Sequence, residues 1–78
     1  MIEKAREVLK KYEGMTEEGE LYPGEPFIGL YKDTILKLIR KEGFTNPDVI
    51  FNELVKSNDI RLVSMYSGIE EYEIKFRS

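Results

Sequence analysis

Neither cysteine nor histidine occurs anywhere in these 78 residues. That absence constrains the fold more than any other feature. A core of this size supplies only about 3–5 kcal/mol of net stability, and small domains commonly add disulfides or a structural metal. Without Cys or His, neither disulfides nor zinc sites of the usual kind can form. What remains is an economical core, surface ion pairs, or association with another chain. Thiolate chemistry and histidine acid–base catalysis are excluded by the same two absences. No cofactor is expected.

Composition narrows the class further. Hydrophobic residues are 41% and charged residues 35%, with a net charge of −3. The apolar fraction is too high for a disordered chain. No stretch approaches the ~20 apolar residues of a membrane span, so no membrane partner is expected. Trp and Gln are also absent while Lys, Glu and Ile are abundant, a bias found in heat-resistant proteins. The start, Met1-Ile2-Glu3-Lys4, lacks an apolar signal core, so a cytoplasmic location is expected. The length fits one small domain, 1–78.

Apolar spacing places the elements. Ile2, Ala5, Val8, Leu9 and Tyr12 recur at helical intervals and predict a helix over 2–13, stopped at Gly14. Residues 32–42 predict a second helix, with Ile35, Leu36, Leu38 and Ile39 inward and Asp33 or Thr34 at its start. Gly43 suits the left-handed position after it, and Phe44 should pack back on Ile39. A third helix over 47–57 has Asn46 as cap, Pro47 in its first position, and Ile50, Phe51, Leu54 and Val55 as its stripe.

The last segment, 59–77, predicts a hairpin. Tyr72, Ile74 and Phe76 alternate inward with Glu71, Glu73 and Lys75 outward. A three-residue loop, Tyr66-Ser67-Gly68, sets Leu62 opposite Tyr72 and Ile60 opposite Ile74. It also pairs Arg61 with Glu73 and Asp59 with Lys75. Gly68 then takes the left-handed position of a type I turn with a G1 bulge. A two-residue loop mixes the faces.

Residues 14–29 form a long acidic Gly/Pro loop. It holds Glu17, Glu18, Glu20 and Glu25 with no Lys or Arg, a charge of −4, so the other residues sum to +1. Loops of this length are often functional. As a wrapping connection it would be pinned to the core by Leu21, Tyr22, Phe27, Ile28 and Leu30, with a short strand near 27–30.

The element order is helix, short strand, helix, helix, strand, turn, strand, an α+β arrangement. It resembles the winged-helix fold. The resemblance spans most of the chain and implies that 47–57 is the recognition-type helix and 66–68 the wing. A three-helix cluster with an added hairpin is the competing architecture.

Three function classes follow. A winged-helix reader would offer a basic or amide-rich helix to DNA. Helix 47–57 instead presents Asp48, Asn52, Glu53 and Lys56, and Glu70 and Glu71 follow the wing. The better basic patch is Lys37, Arg40 and Lys41. A DNA-binding regulator, expected as a dimer, would use those three with Asn52 and Lys56. Three cations at helical spacing also simply solvate a helix face. Protein binding is favoured instead, through the aromatic residues Tyr22, Phe27 and Tyr31 or through the exposed hairpin edge. Those rings could equally complete the core. The acidic loop beside a basic helix also suits a homodimer or a charged partner. A structural or viral accessory subunit is a third class.

Catalysis has no support in the pattern. Glu70 and Glu71 point to opposite faces of a strand, and Glu17 and Glu18 are expected in a polar loop without fixed partners. No phosphate-cradling glycine loop is present, and Glu17, Glu18 and Glu20 lack calcium-loop spacing. The expectation is a non-enzymatic, metal-free protein-binding adaptor, with DNA binding as the alternative.

Overall fold

The computed structural model describes residues 2–17 and 29–76. Tyr22 and Phe27 lie outside the described residues, as do Leu21 and Ile28. The elements in order are α1 (Ile2–Leu9), a 3-10 turn (Lys10–Tyr12), β1 (Leu30–Tyr31), α2 (Lys32–Lys41), α3 (Pro47–Lys56), β2 (Ile60–Tyr66) and β3 (Ile69–Ile74). The three strands form one antiparallel sheet in the order β1-β3-β2. The class is α+β, as the element order implied.

The helices sit where the spacing placed them, with a tightened end on the first. Ala5, Leu9 and Tyr12 from the first helical segment, Ile35 and Ile39 from α2, and Ile50, Phe51 and Leu54 from α3 meet Ile60, Tyr72, Ile74 and Phe76 in one core. Leu36, Leu38 and Phe44 pack at its margin. Phe51 and Tyr72 meet edge to face with centroids 4.9 Å apart, a preferred aromatic geometry.

Helix ends follow local chemistry in part. Gly43 takes the left-handed conformation after α2, with φ of +98°. Asn58 does the same after α3, with φ of +65°, which Asn tolerates better than most residues. The Asn58 N–H bonds the Val55 carbonyl and the Asp59 N–H bonds the Leu54 carbonyl, the Schellman pattern. Asn46 makes no side-chain cap, and neither Asp33 nor Thr34 caps α2. A remote residue does that work: Glu17 accepts the Tyr31 N–H at 3.2 Å and the Thr34 hydroxyl at 2.9 Å. Glu17 is therefore fixed at a helix N-terminus, contrary to the reading of it as a partnerless loop carboxylate.

The hairpin corrects the loop. Tyr66 pairs with Ile69, so the turn has two residues, Ser67 and Gly68, both with positive φ. Yet Ile60 still faces Ile74, Arg61 faces Glu73 and Leu62 faces Tyr72, as expected from the longer loop. A bulge between Leu62 and Ser64 absorbs the difference, because Val63 is an extra residue with no partner on β3. Asp59 also departs from expectation. It is buried and joined to Arg6 rather than paired outward with Lys75, though its carbonyl accepts the Lys75 N–H at 2.9 Å.

Candidate interaction surface

The bulge has a consequence for the side chains. In a regular strand, residues 62 and 65 would point to opposite faces. Here Leu62 lies opposite Tyr72 and Met65 opposite Glu70. Tyr72 and Glu70 are two apart on β3, so Leu62 and Met65 share one face. It is the face that carries Ile60 and Ile74 into the core. No described helix covers its outer part: Leu62 is 49% exposed and Met65 60%. Leu62 was expected inside, and its place on the outer strand of the sheet, one strand beyond the buried Tyr72, leaves it out. Ile69, also half exposed, stands at the tip on the opposite face.

Charge on the hairpin is acidic. Arg61 pairs with Glu73 at 3.2 Å. Glu70 accepts the Tyr72 hydroxyl. Burial, reinforced by that bond, raises the Tyr72 phenol to about 12. Among the described residues neither Glu70 nor Glu71 forms an ion pair. The solvent face of α3 continues the pattern, with Asp48, Val49, Asn52, Glu53 and Lys56 all exposed.

The other residues singled out in the sequence are spread apart. Lys37, Arg40 and Lys41 are exposed on α2, whereas Asn52 and Lys56 belong to α3. Tyr31 is half-buried at the start of α2, with its N–H held by Glu17. A cleft of about 530 Å³ separates the start of α2 from the hairpin tip. Its walls include Tyr31, Lys32, Lys37, Glu17, Ile69 and Glu70, so it mixes both charges. Lys32 also reaches the Phe51 ring, with its ammonium 5.3 Å from the centroid.

Two polar clusters hold the framework behind these surfaces. Glu42 accepts from Tyr12 and from Lys11, the latter at 3.0 Å. The Tyr12 bond, then Lys11, holds the Glu42 carboxyl below its ordinary value. The same bond is the main cause raising the Tyr12 phenol. Glu13 accepts the Phe76 N–H at 2.6 Å, and Gly14 donates to the Ile74 carbonyl at 3.2 Å, tying the end of α1 to the end of β3. Among the described residues no group of three His, Cys, Asp or Glu could hold a metal ion, and no helix is long and apolar enough to cross a membrane.

Leu62, Met65 and Ile69 did not stand out in the sequence as site residues. Their signal was the broken alternation at Leu62-Val63, which marks a bulge and not a regular strand. Comparison with family models, with curated proteins and with solved structures found no match.

Proposed function

We propose that this chain is a small non-enzymatic protein-binding module on a winged-helix-like plan, making its contact through the β2–β3 hairpin. The short strand between α1 and α2, paired to the hairpin, supports that plan. One observation carries the function. Leu62 and Met65 stand exposed together beside Glu70, and the solvent face of α3 carries Asp48 and Glu53. An apolar, acidic surface suits a protein and repels a phosphate backbone. Exposed clustered apolar side chains on a small domain commonly mark contact sites.

DNA binding is the second reading, and Lys37, Arg40 and Lys41 on the exposed side of α2 favour it. A comparative capture from extracts of the source cells tests the first. Wild type and Met65→Glu, matched for thermal midpoint, are immobilised in parallel. A protein retained by wild type and lost from Met65→Glu supports the hairpin contact. Equal retention by both removes it.

A further inference from the structure

We propose that the hairpin edge takes a second copy of this chain, with β2 pairing antiparallel to β2 about a two-fold axis. The inference rests on the reading of the hairpin as a protein-contact surface and specifies its occupant.

The sheet order leaves β2 paired on one side only among the described residues. The strand is seven residues long, and β1 at the other edge only two. Short edges protect themselves, whereas long ones usually carry Lys or Pro. β2 has neither Lys nor Pro; its guard is the bulge at Val63, and its one charge, Arg61, bonds Glu73 within the chain. Glu17 and Gly29, joined by a 3.0 Å backbone bond, stand on the β1 side, away from this edge.

The strand complements itself in charge. Arg61 and Ser64 share the outer face, because they lie opposite Glu73 and Glu71. A register that sets Arg61 opposite Ser64 of the second copy also sets Ile60 opposite Met65 on the inner face. Each Arg61, turning from Glu73 of its own chain, then reaches across a short serine to the second copy's Glu71. That distance is two strand spacings, about 10 Å between backbones, which Arg and Glu side chains span together. Glu71 has no ion-pair partner among the described residues of its own chain. The two-fold repeats the contact, so two ion pairs flank a centre of Leu62 and Val63 from each copy, with Met65 across from Ile60 of the other. Such a pairing is isologous and closes at two chains.

Sedimentation equilibrium of the full chain over a wide concentration range tests this. The expected mass rises from 9.2 kDa to twice that value and no further. Ser64 is exposed, so its variants report the interface without opening the core. Ser64→Lys faces Arg61 of the second copy and should weaken association by at least ~10-fold, whereas Ser64→Glu should strengthen it. Thermal midpoints taken in parallel separate folding from pairing. A chain that stays monomeric throughout, a dimer indifferent to both variants, or larger assemblies would overturn the proposal. If the chain is monomeric while Met65→Glu still loses a captured protein, the hairpin contact stands and only its occupant is wrong. If capture is also indifferent to Met65→Glu, both readings fail.

Discussion

Arg6 and Asp59, fifty-three residues apart, form a two-point ion pair with Nε to Oδ2 at 3.0 Å. The carboxylate side chain is 3% exposed and the guanidinium side chain 38%. The Ser57 hydroxyl donates a hydrogen bond to the same carboxylate at 2.7 Å. Asp59 thereby joins α1, the end of α3 and the start of β2 in a chain with no cysteine to form a disulfide.

Removing Arg6 leaves the Asp59 charge without its cation. Arg6→Ala should destabilise by about 2–3 kcal/mol, less than a fully buried pair because Arg6 keeps solvent contact. For a domain this small that lowers the thermal midpoint by roughly 10–20 °C. A midpoint unchanged on calorimetry would show that the pair is only a surface contact.

Gly29 is required by space. A Cβ there would lie 2.5 Å from the Tyr72 carbonyl oxygen, a backbone atom that cannot step aside. Gly29→Ala should cost about 1–3 kcal/mol and loosen β1 from β3. Denaturant melts give the cost, and amide exchange at Leu30 and Tyr31 shows where it falls. Wild-type protection at both amides would refute the close approach.

Glu17 acts as a cap supplied from outside the helix. Glu17→Ala should cost about 1 kcal/mol, from the lost bonds to Tyr31 and Thr34 and the lost charge at the positive helix end. Exchange of the Tyr31 amide should accelerate selectively. If it does not, the carboxylate is not what holds that N–H.

These three sites show what the sequence could and could not reveal. Periodicity exposed all three helices and the alternation of Tyr72, Ile74 and Phe76, because each signal is local. The Arg61–Glu73 register was legible because opposite charges and matching faces agreed. The Glu17 cap and the Arg6–Asp59 pair were not, since their partners are remote in the chain. The turn failed for a related reason. A bulge at Val63 and a shorter loop give the same far register, so register alone could not separate them. That bulge is also why Met65 was not seen to share a face with Leu62. Tyr22 and Phe27, the first candidates for contact, lie outside the described residues, and weight passes to the hairpin.

Stability should fall at both ends of the pH scale, through different groups. Glu42 has a lowered folded value, so its contribution is present above the ordinary 4.5 and is lost as pH falls through the folded value. Tyr72 is raised from 10.0 to about 12, so its contribution is present below 10 and is lost as pH rises towards 12. Tyr12 adds to the alkaline loss in the same direction. Thermal melts across pH should show Tyr72→Phe losing part of the alkaline decline and Glu42→Gln part of the acid one. Variants that parallel wild type at both ends would contradict these assignments.

On the proposed function, this fold makes protein contact through its acidic, partly apolar hairpin and does not read DNA. The most direct measurement is a fluorescence anisotropy titration with random and genomic duplexes at two salt concentrations. No saturable binding is expected even at low salt. Tight binding with a steep salt slope, abolished by Lys37→Glu with Arg40→Glu, would contradict it.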